Sequence, residues 1–141
     1  MTAMQVFLSH SQSRRPEADH LRTRLQDAGF GTWSEQSVLP GDLLHEKIAE
    51  ALRSADAMVV LVTADWIQSK WARNEIEHAI GDERFQGRLI PVVLETEARE
   101  DMPWILKHLP YIDATGDFDE ASDRVIALLR ESQDRRARHA G

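Results

Sequence analysis

Apolar and polar positions alternate in blocks along this chain. Val6, Phe7 and Leu8 are contiguous and apolar, predicting a buried strand over Met4 to Ser9, ended by the polar run Ser9-His10-Ser11-Gln12-Ser13. Ala18, Leu21, Leu25 and Ala28 then recur at helical spacing, and Gly29 is a good helix stop. Phe30 to Ser34 reads as a short second strand and Glu35 to Gly41 as a loop closed by Pro40-Gly41. Asp42 is an expected N-cap for a helix whose stripe is Leu44, Ile48, Ala51, Leu52 and Ala55. Ala57 to Thr63 lacks alternation, as a central parallel strand covered on both faces would.

The segment Thr63 to Trp71 reads as a loop. Ala72, Ile76, Ala79 and Ile80 then share one face of a helix ending near Gly81. Arg88 to Leu94 is a fourth strand, although Pro91 inside it is unusual away from edges and bulges. Glu95 to Asp101 reads as an acidic loop, and Met102 to His108 as a segment with a short helical turn after Pro103. Tyr111 to Asp113 is a brief fifth strand, and the last helix runs from about Phe118 into the Arg-rich end, with Ala121, Val125, Leu128 and Leu129 facing in. Strands alternating with helices predict an α/β protein: a five-stranded parallel sheet with helices on both faces. Ligand sites in such sheets form beyond the carboxyl ends of the strands. That rule selects the loops Ser9 to Arg15, Ser34 to Gly41 and Thr63 to Trp71.

Composition narrows the classes. The chain has 141 residues, 42% hydrophobic and 29% charged, enough for one real core. It has no cysteine, hence neither a disulfide nor a thiolate metal site. The six histidines show no metal-ligand spacing. No apolar run approaches the ~20 residues that span a bilayer, and the opening Met-Thr-Ala-Met-Gln lacks the pattern of a secretory signal. A cytoplasmic protein without a membrane partner is expected. A net charge of −7 argues against a direct nucleic-acid partner. Residues 130 to 141 carry a local +2, so a basic tail or linker is expected over 133–141, after a domain over 1–132.

Several motifs fail on inspection. Gly29-Phe30-Gly31 lacks the third glycine of a dinucleotide fingerprint and leads into a strand rather than out of one. No Walker loop is present. A phospho-receiver needs carboxylates after its first strand, where this chain has Ser9-His10-Ser11. Those residues form no nucleophile elbow either. They read as turn and cap chemistry, or as hydroxyls and N–H groups that meet a polar ligand.

Glu75 falls about 60° from Ala72 around its helix, at the rim of the apolar stripe, with Trp71 one turn before it. A carboxylate at an apolar rim beside an indole is a candidate catalytic group, although a lone helical glutamate is most often a surface residue. Trp33 and Trp71 are core or rim residues, or planar surfaces for a ligand ring.

Val6-Phe7-Leu8-Ser9-His10-Ser11, Gly31-Thr32-Trp33-Ser34-Glu35 followed by Pro40-Gly41-Asp42, Ser69-Lys70-Trp71 followed by Glu75, Ile90-Pro91-Val92 and Tyr111-Ile112-Asp113 together resemble a TIR (Toll/interleukin-1 receptor) domain of the bacterial NAD-cleaving type. The resemblance covers about Met4 to Ser132. It implies a flavodoxin-like fold in which a fourth-strand proline is usual. It also implies an enzyme with NAD⁺ as substrate and no separate cofactor, cutting the nicotinamide–ribose bond to linear or cyclised ADP-ribose. Carried over by position, Glu75 would be catalytic, and Ser9, His10, Ser11, Trp33, Glu35, Ser69 and Trp71 would border the substrate.

The family implies self-association through the BB loop, Glu35 to Leu44, whose tip carries Val38, Leu39, Leu43 and Leu44. It also implies a fused or partner sensor domain and a role in bacterial antiviral immunity. The alternatives are a non-catalytic scaffold for TIR–TIR contacts and an effector interfering with host signalling. The chain departs from the pattern at His10 and Ser11, where active members often carry an aromatic or arginines. It departs again at Ala72, where a cysteine is common. Arg14, Arg15 and Lys70 are the cations available for a pyrophosphate.

Overall fold

The computed structural model describes residues 4–33, 44–68, 88–102, 104–107 and 109–140. Its strands are β1 (Gln5–Ser9), β2 (Gly31–Trp33), β3 (Ala57–Val62), β4 (Leu89–Val93) and β5 (Ile112–Asp113). Its helices are α1 (Arg15–Asp27), α2 (Leu44–Ser54), α3 (Ala64–Ile67), α4 (Thr96–Asp101), α5 (Trp104–Lys107) and α6 (Phe118–Ala140), with a 3-10 turn over Gln12–Arg14. All five strands are parallel, in the order β2-β1-β3-β4-β5.

Each strand feeds both faces of the sheet, because successive side chains point to opposite sides. Val6, Leu8, Val59, Leu61, Ile90 and Val92 pack under α1 and α6 with Leu21, Leu25, Val125 and Leu129. Phe7, Met58, Val60, Val62 and Val93 face the other way, against Ala51, Trp66, Ala98 and Leu106. Every residue of β3 is fully buried, which accounts for its unbroken apolar sequence.

Two loops of the sequence reading are helices. Thr63 caps α3, its hydroxyl accepting the Trp66 N–H at 3.1 Å. The acidic stretch after β4 forms α4, anchored by buried Ala98. The last helix, α6, runs from Phe118 into the basic end of the chain, as its pattern predicts.

Gly29 ends α1 in the left-handed region, at φ +94°. Its N–H bonds Gln26 O at 3.0 Å and the Phe30 N–H bonds Leu25 O at 3.0 Å, while Phe30 and Leu25 are both buried. This is a Schellman stop.

Pro91 sits in a strand paired on both sides, opposite Val60 of β3. Met58 N donates to Arg88 O and Leu94 N to Val62 O, so even-numbered residues of β4 turn their N–H groups toward β3. The nitrogen of Pro91 faces the β5 side, below the first β5 pair, Val92 with Ile112. The missing donor therefore leaves the β3–β4 ladder intact.

Candidate functional site

In this strand order the chain leaves β1 toward β2 on one side and returns to β3 on the other. The carboxyl ends of β1 and β3 thus flank the topological switch point, where open α/β sheets bind ligands. Ser9, the last residue of β1, lies opposite Val60 of β3. Its side chain is buried, and its Oγ accepts the indole N–H of Trp66 at 2.8 Å. Trp66 is itself buried, so this bond fastens α3 to the end of β1 beneath the crevice.

Above it runs a chain of hydroxyls. Ser11 Oγ is 2.9 Å from Ser13 Oγ and 3.5 Å from Thr63 Oγ1, and Ser13 donates to Asp65 Oδ2 at 2.9 Å. The half-buried His10 ring donates through Nδ1 to the Ser11 carbonyl at 2.8 Å.

A second tie binds three crevice loops through one carboxylate. Glu95, just past β4, accepts the Ala64 N–H at 2.8 Å through Oε1 and Arg14 Nη2 at 3.2 Å through Oε2. Arg14 also pairs with Glu17 at 3.3 Å. Arg14 is thus committed to two carboxylates.

The structure brings Ser9, His10 and Ser11 to the crevice together with Thr63, Asp65 and Trp66. Trp33 stands elsewhere. It stacks on Phe7, with centroids 5.2 Å apart and rings 10° from parallel, and lines a cavity of about 350 Å³ under α2 with Gln5, Thr32, Lys47 and Glu50. Glu35, Ser69, Trp71 and Glu75 lie outside the described residues, as does the BB loop up to Leu43.

Sequence reasoning missed Asp65, Trp66 and Glu95. A threonine three residues before Trp66 was the signal for the α3 cap. Nothing local marked Glu95. Among the described residues no three His, Asp or Glu side chains cluster as metal ligands would, and no helix is long and apolar enough to cross a membrane.

Two exposed carboxylates away from the crevice have lowered pKa values. Asp113 is held below the ordinary carboxylate range first by hydrogen bonds from the Thr115 hydroxyl and N–H. Asp119 is lowered first by its hydrogen bond from His20, at 2.6 Å, against a smaller opposing cost of desolvation. The Arg24 guanidinium, which also pairs with Asp123, adds to the lowering at Asp119.

The architecture and the switch-point crevice define the doubly wound α/β class with 2-1-3-4-5 strand order. The TIR domain family model matches residues 6–129, so the chain belongs to the TIR domain family. It is similar to the stimulator of interferon genes protein of Magallana gigas, at 25% identity over 81% of this chain and 29% of that protein. It is also similar to the probable 2′ cyclic ADP-D-ribose synthase TcpO of Methanobrevibacter olleyae, at 21% identity over 89% of this chain and 37% of that protein. A third relative is the 2′ cyclic ADP-D-ribose synthase AbTIR of Acinetobacter baumannii, at 25% identity over 69% of this chain and 37% of that protein. The chain thus spans about a third of the length of these relatives. Among solved structures, the TIR domain of the Toll-related receptor TRR-2 from Hydra magnipapillata superposes with a TM-score of 0.73 at 19% identity, covering 89% of this chain and 95% of that one.

Proposed function

We propose that this TIR domain cleaves NAD⁺ between nicotinamide and ribose. The observation that carries the reading is the similarity to two proteins named as 2′ cyclic ADP-D-ribose synthases, one extending over 89% of the chain. It is supported by hydroxyls and a histidine gathered at the switch-point crevice.

In the reaction the C1′–N bond breaks and its electron pair leaves with nicotinamide, which becomes neutral. C1′ acquires oxocarbenium character, as in glycoside cleavage. Water, or a hydroxyl of the same molecule, then forms the new bond to C1′ and loses its proton, giving linear or cyclic ADP-ribose. In this reading Glu75, as a carboxylate, hydrogen-bonds the ribose hydroxyls and offsets the developing positive charge, and Glu35, Ser69 and Trp71 are further substrate contacts. Ser9 acts from beneath by holding α3, while His10 and Ser11 meet the substrate. Trp33 supports the crevice from the β2 side through Phe7.

Self-association through the BB loop and a role as the effector module of a longer bacterial defence protein complete the proposal. A second reading is a signalling module without catalysis, favoured by the similarity to the stimulator of interferon genes protein.

Chromatographic measurement of NAD⁺ loss and nicotinamide release tests this directly. Wild-type protein at high concentration with a crowding agent should release nicotinamide, and Glu75→Gln should not. Release by both would remove Glu75 from the reaction. Release by neither, in this chain and in a full-length protein containing it, would favour the signalling module.

A further inference from the structure

Arg14, Arg22, Arg24 and Lys47 are each spent on a carboxylate. Arg99 and Lys107 differ: neither meets a carboxylate at ion-pair distance among the described residues. Asp113 lies in the field of Arg99, but its Oδ1 is taken by the Thr115 N–H and hydroxyl. Both cations line one cavity of about 470 Å³, beside α4, α5 and the start of β5, together with Thr96, Glu100, Met102 and Tyr111. Small-molecule sites run from ~300 to ~1,000 Å³.

Arg99 is set for an anion. Its guanidinium lies over the Tyr111 ring, 5.1 Å from the centroid, and that ring packs against the core. Stacking occupies the flat face of a guanidinium and leaves the N–H groups at its edge for a bidentate bond to phosphate. It also restrains a long side chain before any ligand arrives, which lowers the entropic cost of binding. Lys107 adds a point charge from α5, and buried Met102 adds an apolar wall.

Glu100 narrows the ligand further. One carboxylate beside two cations leaves the lining positive, yet it disfavours a bare anion and accepts hydrogens from hydroxyl groups. A ligand that suits every wall carries a phosphate at one end and hydroxyls next to it. We infer that this cavity is a second ligand site, outside the crevice between β1 and β3, that takes the ribose-phosphate part of a nucleotide. Arg99 and Lys107 hold the phosphate, Glu100 accepts from the ribose hydroxyls, and Met102 meets the sugar carbons. The site stands whether or not the domain cleaves NAD⁺.

Calorimetric titration of this chain with AMP, adenosine and inorganic phosphate tests it, on wild type, Arg99→Gln and Lys107→Gln. Both side chains are exposed, so the variants should keep the fold, which circular dichroism checks. AMP should bind more tightly than either of its halves. Each substitution should weaken AMP about three- to tenfold, the loss of a charge-assisted bond at an exposed site, and leave adenosine within about twofold. In a methyl spectrum of wild type, AMP should shift the Met102 resonance. Inorganic phosphate binding as tightly as AMP would reduce the cavity to a simple anion site and overturn the sugar assignment. No AMP binding by wild type, or AMP binding unchanged in both variants, overturns the site itself.

Discussion

Trp66 and Ser9, 57 residues apart, share a buried hydrogen bond of 2.8 Å from the indole N–H to the serine hydroxyl. The bond joins the end of the second strand from the sheet edge to the first turn after the central strand. It lies directly under the crevice, and its two partners are unequal. Removing the acceptor leaves a buried N–H unpaired, whereas removing the donor leaves a small hydroxyl.

The first prediction concerns that inequality. Ser9→Ala should lower unfolding free energy by about 1–3 kcal/mol, the desolvation cost of the stranded indole N–H. Ser9→Ala with Trp66→Phe should cost less than the two single changes added, because the double variant strands neither group. Urea unfolding of the four proteins checks it, and strict additivity would show that the bond is not formed in solution.

Trp33 is expected to behave as a packing residue. Its ring lies flat on Phe7, so Trp33→Phe should retain most stability and nicotinamide release. Trp33→Ala should cost about 2 kcal/mol, less than a fully buried aromatic would. Loss of release in a stably folded Trp33→Phe would make the indole a substrate contact instead.

Gly29 is the strictest backbone position in the described chain, at φ +94° with open space around it. Gly29→Ala meets no steric neighbour, so any loss comes from the backbone alone. A drop of roughly 1–2 kcal/mol is expected, the left-handed penalty for an L-residue. Thermal unfolding measures it, and an unchanged midpoint would mean that α1 ends differently in solution.

Acid stability should depend on Asp119. Its folded pKa is lowered, chiefly by the His20 hydrogen bond. A depressed carboxyl contributes stability that is fully present above its unfolded value, about 4. That stability is lost as the pH falls through the lower folded value. Asp119→Asn should therefore reduce stability at neutral pH and flatten the decline below pH ~4. Urea midpoints across that range check the sign, and a variant curve parallel to wild type would contradict it.

The strands were legible because burial on two faces demands unbroken apolar runs, and β3 is the plainest case. α4 was not legible. Its six residues bury only Ala98, so no 3.6-residue period exists to read. α3 hid for the same reason, four residues with Trp66 as their buried anchor. At the crevice, the polar run after β1 announced Ser9, His10 and Ser11. Their partners were silent, since Ser13 reaches Asp65 across 52 residues and Arg14 reaches Glu95 across 81. Such pairings are set by strand order, which periodicity does not encode. Glu75 and Trp71 lie outside the described residues and stand on their helical spacing and on the family resemblance.

The proline of β4 also measures its neighbour. By the register of Val92 with Ile112, the next rung toward the start of β5 would need an N–H on residue 91 and another on residue 110. Both residues are proline. Two absent hydrogens thus act as a ruler. They cut the fifth strand to two residues, and any substitution that restored them would let the sheet edge grow backward across Tyr111, on whose ring Arg99 rests at 5.1 Å.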